Sequence, residues 1–271
     1  MDLGTGSWPV AGAASRRGAV LVVPLGSFEQ HGPHLPLLTD SLIVEEVARR
    51  AASALGDEVA RLPVLWLGAS QHHIGFAGTL AAQNERYIGL IDDVLECAVE
   101  SGFRRVLLLN GHGGNEAPAR VAMYNVRYRR RQERGLHLAL VSWWSLVRAP
   151  DVERAGCRQK AISHACEWET SALLAFRPEL VPRDAAPRTG VPEQPPECAR
   201  WRALVDEARQ FAELTPTGSL GLPDHASAAK GEVLIEAAST ALVELLRDMA
   251  SWQDRDGLTG ARPERERAGA E

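Results

Sequence analysis

Residues 19–25 of this chain read Ala-Val-Leu-Val-Val-Pro-Leu, and residues 29–40, shortly after, read Glu-Gln-His-Gly-Pro-His-Leu-Pro-Leu-Leu-Thr-Asp. The first stretch is typical of a strand that is buried on both faces. Residues two apart in an extended chain point the same way, so Glu29 and His31 can converge on one point while Gln30 faces elsewhere. The pattern indicates a metal site at the end of a strand. A polar loop whose last residue only caps the next helix is the alternative.

Short apolar runs alternate with amphipathic segments along the chain. The runs predicted as strands are residues 19–25, 62–67, 106–109 and 136–141. Helical periodicity predicts helices over residues 41–55, 85–101, 116–131, 167–176, 200–214 and 230–252. This alternation predicts an α/β fold with a mostly parallel central sheet and helices on both faces, that is, a three-layer α/β/α single domain.

The 271 residues are enough for one large domain. We divide the chain into an N-terminal extension (1–18), a main domain (19–253) and a charged tail (254–271) that is predicted to be disordered. Residues 181–198 hold five prolines and no apolar periodicity, which predicts a surface excursion or lid.

The composition argues against several classes of function. A formal net charge of -5 gives no footprint for nucleic acid or for an anionic membrane. The arginine cluster within residues 127–134 is interpreted as the solvated end of a helix. Four cysteines without a CxxC pair argue against a disulfide scaffold or a thiolate zinc site. No signal peptide is recognisable, so the expected location is cytoplasmic.

Polar clusters follow the predicted strands at equivalent places. In a parallel sheet the carboxyl ends of the strands share one edge, where ligands collect. Gln71-His72-His73 follows the second strand, and Asn110-Gly111-His112-Gly113-Gly114-Asn115 follows the third. A turn with a core histidine or a phosphate cradle are alternatives for the latter, although its glycine spacing fits neither phosphate motif. His164 to Ser171 adds an imidazole and two carboxylates; an acidic first turn of a helix is the alternative.

Together these segments resemble the creatininase family of metal-dependent amidohydrolases. The motifs that carry the resemblance are Gly26-Ser27-x-Glu29-Gln30-His31-Gly32-Pro33-His34-Leu35-Pro36-x-x-Thr39-Asp40, Ser70-x-x-His73-x-x-Phe76-x-Gly78-Thr79, Asn110-Gly111-His112-Gly113-Gly114-Asn115 and His164-Ala165-x-x-x-Glu169-Thr170-Ser171. The resemblance implies a creatininase-like α/β/α domain and assembly as a homohexamer.

The resemblance also implies two divalent metal ions per chain. By motif position, Glu29 and His112 would hold one ion, His31 and Glu169 the other, and Asp40 would bridge them. His164 would then be the acid/base residue. His73 is expected to contact substrate, with a structural role as its alternative, and His34 to orient a ligand. His72 is expected to point away from the site, because neighbours in an extended chain face opposite sides.

The sequence departs from creatininase itself in one place. That enzyme carries a tyrosine and then a metal-binding glutamate after the histidine of this turn, whereas this chain has Gly113 and Gly114. Glu169 is therefore taken as the replacing carboxylate. The departure argues against creatinine as the substrate.

The expected function is hydrolysis of a C–N bond in an amide, lactam or formamide by a hydroxide that bridges the two metals. The donor set suits zinc or manganese, with iron as a further option. A small-molecule amide is the expected partner. A peptidase or deformylase in a biosynthetic pathway, such as mycofactocin-type peptide trimming, is the alternative within the class, and a two-metal phosphoesterase is the alternative outside it.

Overall fold

Four parallel strands form the central sheet, in the order β2-β1-β3-β4. The structure is a computed structural model that describes residues 1–182 and 207–253. The strands are β1 (Val20–Leu25), β2 (Val59–Arg61), β3 (Arg105–Asn110) and β4 (His137–Ser142). Because all pairs are parallel, the carboxyl ends of the strands meet at one edge of the sheet.

Helices cover both faces of the sheet. One face carries α1 (Trp8–Arg16), α3 (Asn84–Glu100) and α4 (Glu116–Arg129). The other carries α2 (Thr39–Leu55), α5 (Ala149–Ala155), α6 (Glu167–Phe176) and α8 (Ala228–Ser251), and α7 is a single turn at Phe211–Leu214. The predicted three-layer α/β/α single-domain architecture is therefore confirmed.

The alternation of side chains along the strands creates two separate cores. In β1, Val20 and Val22 join the core under α2 and α8, whereas Leu21 and Val23 join the core under α3 and α4. All four side chains are at most 2% exposed. A strand buried on both faces must be apolar at every position, which is why residues 19–25 carry no polar side chain.

Most predicted elements lie within two residues of the observed bounds, but the second strand was misplaced. Residues 62–67 are not a strand, and β2 ends at Arg61. The regular pairing with β1 stops because the chain holds one extra residue here: Val22 pairs with Arg61, whereas Leu25 pairs with Leu65 in an isolated bridge.

The predicted helix over residues 200–214 was wrong in its described part, where only Phe211–Leu214 is helical. Gln210 has extended backbone, and its N–H donates to the Glu213 carboxylate, which caps the turn and fixes its start. Residues 200–206 lie outside the described residues, as do the tail 254–271 and most of the proline-rich stretch 181–198.

Two helices, α1 and α5, were not predicted. The chain before α1 contacts the edge of the sheet, because the Leu3 N–H donates to the carbonyl of Arg61 at 2.9 Å. Within the described residues, no helix is both long and apolar enough to cross a membrane.

Candidate metal centre

Five polar side chains converge at the carboxyl edge of the sheet. Each is at most 4% exposed. Two come from the loop after β1, one from the first turn of α2, one from the turn after β3 and one from the first turn of α6: Glu29, His31, Asp40, His112 and Glu169. These are the five residues that the sequence indicated as metal ligands, and the fold brings all five together.

Asp40 lies at the centre of this group. Its Oδ1 is 3.1 Å from His31 Nε2, and its Oδ2 is 3.2 Å from His112 Nδ1. His112 Nδ1 is also 3.1 Å from Glu29 Oε2, and His31 Nε2 is 3.9 Å from Glu169 Oε1. One carboxylate thus faces two histidines on opposite sides.

The ligand atoms form groups that fit a divalent cation. Within each of the sets Glu29–Asp40–His112 and His31–Asp40–Glu169, one atom per residue lies within 4.8 Å of the others. Among the described residues, no donor makes a well-aligned hydrogen bond to the buried atoms Glu29 Oε1 and Asp40 Oδ2, although His112 Nδ1 lies 3.2 Å from the latter. Buried carboxylate oxygens are costly unless they are paired or bind a metal. The donor set, which is nitrogen and oxygen without thiolate, suits zinc or manganese.

The pKa shifts at the centre also indicate that its buried carboxylates favour positive charge beside them. Burial opposes ionisation of Glu29, yet the charge of His112 beside it holds the pKa of that carboxyl well below its usual range. Burial likewise opposes the charge on His31, but Asp40 and Glu169 raise its pKa to about 9. The pKa of His112 is raised well above its usual value by Glu29 and Asp40. Protonated imidazoles place positive charge beside the buried carboxylates, and a bound divalent cation would do the same.

A chain of hydroxyl groups orients His112 and Glu29. Ser27 Oγ donates to Glu29 Oε2 at 2.7 Å and contacts Ser70 Oγ at 2.6 Å, and Ser70 Oγ lies 3.4 Å from His112 Nε2. The arrangement leaves Nδ1 of His112 as the nitrogen that faces the carboxylates. Sequence reasoning assigned neither serine a role, although both stand in the quoted motifs.

Gln30 contacts two histidines outside the five-residue group, His73 and His164. Its Nε2 lies 2.9 Å from His73 Nδ1 and 3.0 Å from His164 Nε2. The expectation that Gln30 faces away from the site was wrong, because the chain turns at Gly32, whose φ is 63°. Burial lowers the pKa of His73 to about 3 and that of His164 well below its usual value, the latter helped by His31.

His164 is placed by strained backbone. Ala165, the next residue, has a φ of 49°, in the left-handed region that is costly for a residue with a Cβ. Two contacts with a distant segment hold it there: His164 pairs with Leu220 in an isolated bridge, and Ser219 Oγ donates to the Ala165 carbonyl at 2.9 Å. His164 Nδ1 consequently lies 3.6 Å from Glu29 Oε1.

Asparagine side chains tie the loops of the site to one another. Asn115, which precedes α4, accepts a hydrogen bond from the Ala69 N–H and donates to the Gly26 carbonyl, both at 2.9 Å. It therefore connects the chain after β1, the chain after β2 and the turn after β3. Because Asn115 is fully buried, these two bonds replace hydration that its amide would otherwise lose.

Crowding at Gly114 explains why this turn supplies no carboxylate at the position where creatininase itself carries a glutamate. A Cβ on Gly114 would lie 2.4 Å from both the Ala69 carbonyl oxygen and His112 Nε2, so this position holds no side chain. Glu169 instead enters from the first turn of α6, where its Oε2 accepts from the Cys166 N–H at 3.2 Å. Glu167 in the same turn points elsewhere and pairs with Lys230 at 2.6 Å.

A cavity of about 340 Å³ opens onto the centre. His72 lines it beside His73, so the expectation that His72 points away was wrong. Gln71–His73 form a 3₁₀ turn rather than extended chain, and both imidazoles therefore face the cavity. Trp144 also lines the cavity, whereas Trp143 and Trp168 are buried in the core.

His34, expected to orient a ligand, lies just outside the centre. Its Nε2 contacts Thr170 Oγ1 at 3.0 Å, and burial lowers its pKa to about 4. It therefore connects the loop after β1 with the helix that carries Glu169.

The sequence of this chain is similar to those of several hydrolases of known name. The family model for creatininase, described as creatinine amidohydrolase, matches residues 5–246. A 3-dehydro-scyllo-inosose hydrolase from Thermotoga maritima is 29% identical over 85% of this chain and 77% of its own. The creatinine amidohydrolase of Pseudomonas putida is 30% identical, covering 84% of this chain and 89% of its own. A mycofactocin precursor peptide peptidase from Mycolicibacterium smegmatis is 31% identical over 88% of both chains.

Solved structures agree with the sequence comparison. A crystal structure of creatininase superposes with a TM-score of 0.81 at 25% identity, covering 93% of this chain and 98% of that one. Creatininase structures described as the Mn form and as a mutant of Zn-Zn type also match with a TM-score of 0.81, at 24% identity over 93% of this chain. The match across nearly the whole chain, together with the shared fold, establishes that this protein belongs to the creatininase family.

Proposed function

We propose that this protein is a metal-dependent amidohydrolase that cleaves a C–N bond of a small amide, lactam or formamide. The placement of Asp40 carries the proposal, because its two oxygens face His31 and His112 on opposite sides. Relatives named as a creatinine amidohydrolase and as a peptide peptidase support amide-bond chemistry.

Two metal positions follow from the side chains. Glu29 and His112 would hold one ion, His31 and Glu169 the other, and Asp40 would contribute an oxygen to each. Zinc and manganese suit these donors, and the solved creatininases described with those metals support the choice. Divalent ions bound there would supply Lewis acidity toward the substrate carbonyl and would lower the pKa of water.

His164 supplies proton transfer in this proposal. Its Nε2 lies 2.8 Å from the carbonyl oxygen of Gln30, and its Nδ1 lies 3.6 Å from Glu29 Oε1. A neutral imidazole can take up a proton on its unprotonated nitrogen and then deliver it to the departing nitrogen. Hydrolysis of an amide needs that delivery because the amide nitrogen is a poor leaving group.

The experiment combines substrate screening with metal analysis. Zinc-loaded and manganese-loaded protein would be screened against lactams, formamides, ureides and short peptides. His164→Asn should lower kcat on any substrate found by at least about a hundredfold and leave metal content unchanged. His225→Asn, on the turn Pro223–His225 away from the cavity, is the matched control.

Three results would count against parts of the proposal. No hydrolysis of any amide by the metal-loaded protein would refute the reaction class. Loss of metal in His164→Asn would assign this residue as a ligand, a role compatible with its proximity to Glu29 and His31. Cleavage of short peptides alone would favour the peptidase alternative, which the relative from Mycolicibacterium smegmatis supports.

The cavity walls disfavour the phosphoesterase alternative. Two-metal phosphoryl transfer generally uses lysine or arginine to neutralise the phosphate. Among the described residues that line the cavity, none is a lysine or an arginine.

A further inference from the structure

Among the described residues, the cavity has one acidic wall residue beyond the proposed metal ligands. Asp40 and Glu169 line the cavity at the metal centre, whereas Glu116 lines it and belongs to none of the candidate ligand groups. Its carboxylate would therefore face a substrate rather than an ion.

Glu116 is held in place by a hydrogen-bond chain that begins at the metal centre. Asn110 Nδ2 donates to the carbonyl of His112 at 2.7 Å and to Ser142 Oγ at 3.1 Å. The hydroxyl of Ser142 then donates to Glu116 Oε1 at 2.5 Å. Asn110 and Ser142 are at most 4% exposed. The chain fixes one oxygen of Glu116 relative to His112 and leaves the other free.

The space beside Glu116 is open. A Cβ on Gly113 would meet no atom within 4 Å, although the residue lines the cavity. The cavity walls also include the apolar side chains of Trp144, Ile162 and Phe211. A fixed carboxylate beside apolar walls favours a cationic group that carries a short apolar spacer, because such walls screen the attraction less than water does.

We propose that Glu116 determines substrate specificity by binding a cationic group, an ammonium or a guanidinium, on the amide that is hydrolysed at the metal centre. This inference rests on the proposed function. It deepens that function by assigning the substrate class: a small amide with a positively charged group on a short spacer. Amides with a carboxylate at the same position are disfavoured, because no described lining residue is a lysine or an arginine.

The test compares three amides of similar size that differ in charge: 3-aminopropanamide (cationic), butanamide (neutral) and succinamate (anionic). Calorimetry on zinc-loaded protein would measure Kd for each, and ammonia release would measure kcat/KM. The wild type should bind the cationic amide about tenfold more tightly than the neutral one. Glu116→Gln should reduce this preference to less than twofold, and Glu116→Lys should make succinamate the preferred ligand.

A matched control separates specificity from helix stability. Glu85 stands in the first turn of α3 as Glu116 does in that of α4, but it is exposed and lies outside the cavity. Glu85→Gln should shift the melting temperature as Glu116→Gln does, because both remove a favourable helix-dipole charge. It should leave the charge preference unchanged. Glu116→Asp should restore part of the preference.

The outcomes distinguish this inference from the proposed function. A cationic preference in Kd that persists in Glu116→Gln, or that is absent from the wild type, overturns the role of Glu116 whether or not amides are cleaved. A preference that vanishes in Glu116→Gln supports the role even where ammonia release is undetectable. Failure to cleave any amide in the wider screen counts against the proposed reaction alone.

Discussion

Replacing Asp40 by Asn should weaken metal binding at both positions of the centre. The change keeps the shape of the side chain and removes one negative charge. Asp40 is 3% exposed, so solvent screens its charge little. A pair of unit charges about 4 Å apart is worth about 4 kcal/mol at an effective dielectric constant of about 20. That figure corresponds to nearly a thousandfold in affinity. We expect a loss of at least about a hundredfold for each ion, since an amide oxygen retains part of the attraction.

The assay is metal competition against a chromophoric chelator. It is followed by elemental analysis of the protein after dialysis. The wild type should retain about two equivalents per chain, the number that the family resemblance implies, and Asp40→Asn close to none. Glu169→Gln should lose about one equivalent, because Glu169 belongs to only one of the two proposed ligand sets. The different stoichiometries follow from the central position of Asp40.

The control lies on the same helix. Glu46 in α2 pairs with Arg49 and Arg50 on the surface of that helix, so Glu46→Gln removes a carboxylate without touching the centre. It should retain the stoichiometry of the wild type. If Asp40→Asn keeps both ions with unchanged affinity, Asp40 does not bridge, and the two-position arrangement is refuted.

Three further predictions concern protons and stability. Metal binding at pH 7.5 should release a proton from His31, whose pKa is raised to about 9, and the apparent metal affinity should fall as the pH decreases from 9 toward 7. Calorimetry in buffers of different ionisation enthalpy measures the release. Binding without proton release would contradict the assignment of His31 as a metal ligand. Lys230→Met should lower the free energy of unfolding, measured in urea, by about 2 kcal/mol, because it leaves Glu167 fully buried without its cation. An unchanged unfolding midpoint would show that the backbone donors to Glu167 are enough to stabilise its buried carboxylate. Tyr87→Phe should raise the free energy of unfolding by about 1 kcal/mol, because the buried hydroxyl has no hydrogen-bond partner among the described residues. A loss of stability would indicate a partner such as an ordered water.

The linear order of the chain predicted most of the sheet and the location of the centre. The runs before Glu29 and His112 are apolar at successive positions because the strands are covered on both faces, and the helices follow the spacing of their buried residues. The exception is the strand predicted over residues 62–67. There one extra residue between Arg61 and Leu65 shifts the register with β1, a local effect that an apolar run conceals.

The direction of individual side chains was harder to predict. Gln30 was expected to face away, and His72 likewise, because both were treated as extended chain. In the structure the chain turns at Gly32 and the Gln30 side chain contacts His73 and His164, whereas a 3₁₀ turn directs His72 into the cavity. Neither turn has a periodic pattern, so periodicity alone could not reveal it.

The sequence by itself determined the layered fold, the family and the residue types that meet at the strand ends, because apolar periodicity and short polar motifs are local properties of the chain. Only the tertiary structure decided which groups face one another. It fixed Ala165 in strained backbone through contacts with Ser219 and brought Glu116 to the cavity wall. These choices depend on contacts between residues far apart in sequence, and such contacts exist only once the chain is folded.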